Sequence, residues 1–178
     1  MTPILLALSF IAILFIVVVA GQPVEFKISR SAKISAPPEK VFPHVNDFHQ
    51  WEAWSPWAKM DLACKNTFDG SPAGTGAIFS WAGNKKVGEG RMTITESRPS
   101  DLIRINLEFF KPFKATNTAE FTFQPQGNQT VVTWSMSGKN NFMGKVFGLV
   151  MNCEQMVGRD FEKGLAAMKS VTEAAGRS

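Results

Sequence analysis

The chain has 178 residues, of which 44% are hydrophobic and 19% charged, values that exclude a disordered chain and fit one folded domain with a short appendage. The formal net charge of +4 comes from scattered Lys and Arg, so the sequence offers no nucleic-acid-binding arm and we expect no nucleic-acid partner. A solvated basic surface explains this charge, and weak attraction to anionic lipid headgroups is the alternative. The aromatic residues are 15 Phe and 5 Trp with no Tyr, which favours a dry interior that accepts apolar ligands over polar chemistry.

The first predicted element is an apolar helix over residues 4–20, in which Ser9 is the only polar residue. Its length suits a membrane-spanning helix, which needs roughly 17–25 such residues. A cleaved signal peptide fits less well, because no Lys or Arg precedes the run and a usual signal core has only about 7–15 residues. A buried core helix is disfavoured because the run is apolar on every face. Residues 1–23 are therefore predicted to form an uncleaved transmembrane anchor.

The charges after this run bear on the side of the membrane. Lys27, Arg30, Lys33 and Lys40 follow the apolar run, whereas only the amino terminus precedes it. By the positive-inside rule this asymmetry favours a cytoplasmic domain, although the bias is modest and lies inside a predicted strand.

Residues 26–35 alternate between apolar and polar side chains, a period of two that predicts a half-buried strand. Two prolines follow, and they predict the start of a short helix over residues 39–45. A second short helix or turn carries Phe48, Trp51 and Trp54. We expect Trp51, Trp54 and Trp57 to pack in a small core beneath these helices, and a ligand mouth or a membrane-interface belt is the alternative.

Further alternating segments predict an antiparallel meander with one face in water. The segments are residues 77–82, 88–97, 102–109, 118–124 and 131–137. Period two places their polar residues on the outer face of the sheet. These residues are Glu89, Arg91, Glu96, Arg104, Asn106, Glu108 and Glu120.

The chain ends in a predicted amphipathic helix over residues 152–174, with Asn152 and Gln155 resembling a helix N-cap pair. Gly158 and Gly164 fall on or beside its apolar stripe, where glycine costs about 1 kcal/mol relative to alanine. Either the helix packs very closely against something or space is left beneath it, and close packing is the commoner reason. An apolar connector, residues 142–151, precedes the helix and is expected to pack, with a lid or a membrane contact as alternatives.

These elements resemble the START-like, or SRPBCC, superfamily, in particular its polyketide cyclase/dehydrase-like bacterial branch. The resemblance covers about residues 26–174 and is carried by the order of several short pieces. They are Ser-Ala-Pro-Pro-Glu-Lys-Val-Phe at 35–42, Trp-Glu-Ala-Trp-Ser-Pro-Trp at 51–57, Gly-Thr-Gly-Ala at 74–77, Trp-Ala-Gly-Asn at 81–84, Val-Gly-Glu-Gly at 87–90 and Gly-Arg-Asp-Phe-Glu-Lys-Gly-Leu at 158–165.

The resemblance implies an α+β helix-grip fold in residues 24–178, with a curved antiparallel sheet wrapped around the C-terminal helix and a cavity between them. Family members bind lipids, sterols, polyketides or other hydrophobic ligands, so we expect a hydrophobic small molecule or lipid as partner, together with the membrane. A monomer in a bacterial inner membrane is expected. The predicted ligand-lining residues are Trp54, Trp57, Phe79, Trp81, Met92, Ile105, Leu107, Phe109, Phe121, Trp134, Val157, Phe161, Gly164 and Leu165. Phe109, Phe110, Pro112 and Phe113 are candidates for a loop at the cavity mouth.

Two other functions remain open. A cyclase or dehydratase would need an inward-facing carboxylate or Arg for acid–base chemistry, and no catalytic motif can be assigned. His44 and His49 lack an accompanying nucleophile or paired carboxylate, so neither catalysis nor a metal site is expected, and no cofactor is expected. A ligand-free interaction or stress-related adaptor would have a closed core and an exposed apolar patch. Cys64 and Cys153 are expected to be free thiols, with a disulfide between them as the alternative.

Overall fold

A seven-stranded antiparallel sheet, in the order β1-β7-β6-β5-β4-β3-β2, forms the body of the protein in the computed structural model, which describes residues 2–140, 142–150 and 152–176. The strands are β1 (Glu25–Ile34), β2 (Lys65–Gly70), β3 (Ala77–Ala82), β4 (Glu89–Arg98), β5 (Leu102–Lys111), β6 (Ala115–Gln126) and β7 (Gln129–Lys139). The helices are α1 (Thr2–Ala20), α2 (Pro38–Val41), α3 (Pro43–Asn46), a 3-10 helix (Phe48–Ala53), α4 (Phe142–Val150) and α5 (Cys153–Ala175).

The strand register places one end of every strand at a common edge of the sheet. Glu25 pairs with Lys139 where β1 begins and β7 ends, and Glu89 pairs with Lys111 where β4 begins and β5 ends. Lys65 pairs with Ala82 where β2 begins and β3 ends. Because α1 ends shortly before β1 starts, we call this row of strand ends, which is distinct from the outermost strands of the sheet, the α1 edge.

The long helix α5 runs alongside β1 on the inner face of the sheet. Ser35 N donates to Glu173 Oε1 over 2.7 Å, and Lys169 Nζ donates to the carbonyl of Lys33 over 3.0 Å. At the start of the helix Asn152 Oδ1 accepts from Gln155 N over 3.0 Å, so the predicted N-cap is confirmed. The helix-grip fold predicted from the sequence is thereby confirmed.

The sequence prediction of one helix over residues 39–45 is wrong. The segment forms two single-turn helices, α2 and α3, which meet at Phe42 and Pro43. Proline has no backbone N–H and its ring disfavours a helical turn before it, so Pro43 ends the first helix and begins the second.

Two further elements were not predicted. Strand β2 pairs with β3, and all six of its residues are exposed. The segment predicted as an apolar connector forms helix α4, in which Phe142 and Leu149 are 56% and 40% exposed.

Helix α1 carries its apolar side chains on the surface, and residues 3–20 form a stretch long and apolar enough to cross a membrane. Its C-terminal end is attached to the domain, since Lys145 Nζ of α4 donates to the Ala20 carbonyl over 3.2 Å. Asn140 N and Nδ2 donate to the carbonyls of Val24 and Pro23 over 2.7 and 3.1 Å.

Candidate functional site

The inner face of the sheet is filled by aromatic rings at the level of the 3-10 helix. Trp134 of β7 stacks on Phe161 of α5 with 4.0 Å between ring centroids and on Phe121 of β6 with 4.9 Å. Trp54 meets Trp134 edge to face at 5.6 Å. These rings are at most 3% exposed, so this half of the inner face is a packed core.

Gly164 lets α5 approach this ring cluster. A Cβ at position 164 would lie 2.8 Å from Trp134 Cζ3 and 3.1 Å from Pro56 Cδ. Gly158 has the same role for Arg30, whose guanidinium occupies the space that a Cβ would take. Of the two explanations open from the sequence, close packing of the helix is the one found at both glycines.

Arg30 faces the inner side of β1 and joins it to the first turns of α5. Its Nη2 and Nε donate to Glu154 Oε1 over 2.9 Å and to Glu162 Oε1 over 2.7 Å. The hydrogen bond to Glu154, followed by that to Glu162, raises the pKa of the Arg30 guanidinium above its ordinary value. The alternation in β1 predicted the direction of this side chain, but the sequence did not indicate its partners.

Towards the α1 edge the inner face remains apolar but is only partly covered. We call this region the apolar shelf, and its residues are half-buried. They are Phe26, Phe79, Trp81, Leu107, Phe109, Met136 and Val157. The shelf is continuous with the core, because its strand residues lie in the same inward-facing rows as Met92, Ile105 and Phe121.

Trp81 is the largest side chain on the shelf and is held in place from two sides. Its indole Nε1 donates to the Val87 carbonyl over 3.2 Å, and its ring meets Phe109 edge to face at 5.9 Å. Gly90 on the neighbouring strand leaves the space that the indole occupies. The indole therefore lies against Gly90, and because Trp81 is only half-buried it leaves apolar surface that another apolar molecule can contact.

The predicted ligand-lining residues divide between these two regions. Trp57 and five shelf residues are half-buried and accessible: Phe79, Trp81, Leu107, Phe109 and Val157. The remainder are buried in the packed core and would touch a ligand only if the core opened: Trp54, Met92, Ile105, Phe121, Trp134, Phe161, Gly164 and Leu165. Sequence reasoning missed Phe26 and Met136, although both belong to the alternating rows of β1 and β7.

Apart from the Arg30 ion pairs, few polar atoms face the inner side among the described residues. Asn117 is buried beside Gly138 and Phe26 at the shelf, and Trp134 Nε1 is a buried donor without a hydrogen-bond partner in the described part of the chain. Indole donors of the other core tryptophans are satisfied by backbone, since Trp51 Nε1 reaches the Val45 carbonyl over 3.0 Å and Trp54 Nε1 reaches the His44 carbonyl over 2.8 Å. Trp51 and Trp54 are therefore packed as expected, but within the main core rather than in a separate one, and Trp57 is half-buried against it.

The charged residues considered for acid–base chemistry lie on the outer face, as their strand positions predicted. Arg91 Nη2 pairs with Glu108 Oε2 at 2.8 Å, and Arg104 bridges Glu96 and Glu120. Arg91, Arg104 and Glu108, together with neighbouring threonines, line an outer groove of about 400 Å³. Glu89 pairs with Lys111 at 2.7 Å at the α1 edge. These residues do not supply the inward charged group that a cyclase-like reaction would need, and the inward-facing Arg30 is already paired with Glu154 and Glu162.

The two histidines lie apart from the shelf. His44 Nδ1 is buried without a partner in the described residues, and burial lowers the pKa of its imidazole. His49 Nδ1 contacts Asp47 Oδ1 at 2.8 Å and its ring stacks on Phe68 at 4.1 Å, beside a recess of about 120 Å³. Across the described residues, His, Cys, Asp and Glu form no group that could hold a metal ion.

Cys64 is a free thiol, and its pKa is raised by burial and by the nearby Asp61 carboxylate. A raised pKa leaves less of the nucleophilic thiolate at neutral pH. The side chain of Cys153, with which a disulfide was considered, lies outside the described part of the structure.

Comparison with known proteins agrees with this geometry. A family model described as "Polyketide cyclase / dehydrase and lipid transport" matches residues 25–173. A search of curated proteins found no match.

Solved structures show the same fold at low sequence identity. The Aha1 dimer from Colwellia psychrerythraea has a TM-score of 0.61 at 15% identity, covering 83% of this chain and 96% of that one. Protein SA2116 of unknown function from Staphylococcus aureus has a TM-score of 0.64 at 10% identity, covering 86% and 97%. TTHA0849 from Thermus thermophilus has a TM-score of 0.58 at 18% identity, covering 84% and 99%. At these identities the likeness shows the fold alone.

Proposed function

Because the chain belongs to the polyketide cyclase/dehydrase and lipid transport family, we propose that it is a membrane-tethered module that binds or transfers a hydrophobic small molecule or lipid. The ligand lies on the apolar shelf, against Trp81, Leu107 and Phe109. Helix α1 holds the domain at the bilayer, where such molecules partition.

The single observation that carries this proposal is the incomplete burial of the shelf. All seven shelf residues are apolar and yet half-exposed, next to the packed half of the inner face. Apolar surface removed from water contributes about 25 cal/mol per Å², so a molecule that covers the shelf gains affinity without needing polar contacts. Asn117 offers the one polar side chain buried at this end in the described residues, for a ligand with a single polar group.

The membrane tether is supported by the exposure of α1. Ile4, Leu6 and Phe10 are 66%, 71% and 68% exposed, and burying such a surface requires a bilayer or a partner. A signal sequence has the same composition, so Edman sequencing of the purified mature protein distinguishes the two. A first residue at or near Met1 supports the tether, whereas a start after Ala20 overturns it.

Photocrosslinking tests the ligand site in the detergent-solubilised full chain. A diazirine-bearing fatty acid is expected to label peptides that contain Trp81, Leu107 and Met136. Leu107→Glu places a charge on the shelf and should abolish this labelling, whereas Asn106→Glu places the same charge on the outer face of the same strand and should leave it unchanged. Labelling confined to α1, or equal loss in both variants, would show that the shelf is not the site.

A further inference from the structure

The α1 edge of the sheet carries a concentration of exposed lysines. They project from the strand ends and turns at this edge: Lys65, Lys85, Lys86, Lys111, Lys114 and Lys139. Acidic groups at the same edge are partly engaged, since Glu89 pairs with Lys111 and Asp61 Oδ2 accepts from Asn84 N over 2.7 Å. Glu25 is exposed there.

The opposite edge of the sheet has a different charge pattern. Its exposed residues include both signs in similar measure: Glu39, Asp69 and Asp101 against Lys33, Lys40 and Arg98. The net positive charge of the protein is therefore concentrated at one end of the fold, rather than spread evenly over its surface.

Apolar side chains protrude between these lysines. Leu62 is 93% exposed and lies next to the β3–β4 turn, because its neighbour Asp61 is hydrogen-bonded to Asn84. Phe110, near the end of β5 with the Arg91 guanidinium 5.9 Å from its ring centroid, is 43% exposed, and Phe113, in the β5–β6 turn, is 48% exposed. Val24, just before β1, is 58% exposed. Apolar side chains flanked by lysines are what a surface needs to enter the interface of an anionic bilayer.

The linker between α1 and β1 keeps this edge near the end of α1. Residues 21–24 can span at most about 15 Å, which is within two Debye lengths of roughly 8 Å at physiological salt. Hydrogen bonds from Asn140 and Lys145 to the linker and to Ala20 hold it against the sheet. The basic edge is thereby kept within electrostatic reach of the surface that α1 enters.

We propose that the α1 edge is a docking surface for an anionic phospholipid bilayer, with the lysines at the headgroups and with Leu62, Phe110 and Phe113 inserted among them. The inference rests on the proposed tether and deepens it. The apolar shelf opens at the same edge, next to Trp81 and Phe109, so a docked domain receives its hydrophobic ligand from the bilayer without passing it through water.

Hydrogen–deuterium exchange of the full chain in nanodiscs tests the docking. Peptides covering residues 83–88 and 110–115 are expected to exchange more slowly in nanodiscs that contain phosphatidylglycerol than in phosphatidylcholine alone. Peptides at the opposite edge, covering residues 98–101 and 126–129, should not differ between the lipids. Added salt should restore fast exchange at the α1 edge, because it screens the lysines.

Matched charge reversals separate local docking from net charge. Lys85→Glu with Lys86→Glu should reduce the docked-to-undocked ratio by roughly 25-fold or more, since each lysine near an anionic surface contributes about fivefold. Lys33→Glu with Lys40→Glu changes the net charge equally at the opposite edge and should keep the protection. Leu62→Ser should also lower the protection from exchange at the α1 edge. Because Leu62 is highly exposed, this substitution leaves folding intact.

Two results would overturn the docking surface: equal exchange in both lipids, or equal loss of protection in both charge-reversal variants. Failure of the tether is seen separately, as failure of the chain to co-elute with nanodiscs. In that case the exchange of the same peptides is compared with and without added phosphatidylglycerol vesicles. Equal exchange with and without vesicles, or equal loss of protection in both charge-reversal variants, would then overturn the docking surface.

Discussion

Phe161 of α5 lies almost parallel to Trp134 of β7, with 8° between the ring planes and 4.0 Å between their centroids. This contact joins the last helix to the middle of the inner face. It requires a close approach of helix and sheet, which Gly164 provides one turn further along α5.

Gly164→Ala should therefore destabilise the protein. Alanine gains about 1 kcal/mol in helix propensity, but its Cβ would crowd Trp134 and Pro56 in a packed core, where overpacking costs about 1–3 kcal/mol. We expect a net loss of about 1 kcal/mol in the free energy of unfolding, measured by urea denaturation. Gly148→Ala in α4 is the control, because a Cβ there meets nothing within 4 Å. That variant should be neutral or slightly stabilising, and destabilisation of similar size in both would contradict the explanation.

Trp54→Phe should cost about 2–4 kcal/mol of unfolding free energy. The indole is 2% exposed, and its N–H is bonded to the His44 carbonyl, so the substitution leaves a cavity and an unpaired acceptor. Trp57→Phe, at a half-buried position, should cost about 1 kcal/mol or less. Denaturation followed by circular dichroism measures the free energy of unfolding of both variants. Equal losses would show that the burial of Trp54 does not determine the cost of its substitution.

Stability should fall as the pH is lowered through the titration of His44. Burial lowers its pKa in the folded state below the ordinary 6.5, so between these two values the unfolded chain binds more protons. The contribution of neutral His44 to the free energy of unfolding is fully present above about pH 6.5, and it is lost as the pH falls through the folded-state pKa. The melting temperature should therefore drop on acidification, and His44→Gln should reduce that drop. His49→Gln is the control. If the melting temperature depends on pH in the same way in His44→Gln and in His49→Gln, the drop on acidification comes from other groups.

Arg104→Met should lower stability only slightly, by less than about 1 kcal/mol, because the Arg104 side chain is more than one-third exposed and water screens its ion pairs. The loss should shrink in concentrated salt, as measured by denaturation at low and high ionic strength. Fatty-acid labelling of the shelf should not change, because Arg104 faces the other side of the sheet. Loss of labelling would mean that the outer groove takes part in binding.

Much of the fold follows from local patterns that burial enforces. Strands β4 to β7 each bury one row of side chains, so their sequences alternate, and the α5 stripe of Phe161, Leu165 and Met168 has helical period for the same reason. Strand β2 was missed because none of its residues is fully buried, so its sequence carries no clear alternation. Its pairing with β3 comes from backbone hydrogen bonds, which the sequence does not record.

The site was less predictable than the fold. The inward direction of Trp134 and of Leu107 follows equally from period two, yet one is sealed in the core and the other is half-exposed. That difference depends on where α5 and the 3-10 helix lie across the sheet, which no local pattern states. The partners of Arg30 likewise are far away in sequence and depend on the absence of a side chain at Gly158.

The exposed strand β2 has a consequence for neighbouring copies of the protein. It forms one border of the sheet, where backbone N–H and C=O groups are available to a strand from another molecule. Lys65 and Asp69 near its ends, together with its short length, discourage such additions. Under the tether proposed above, copies of the chain would meet in the plane of the membrane, and the charges and short length of β2 would limit their pairing.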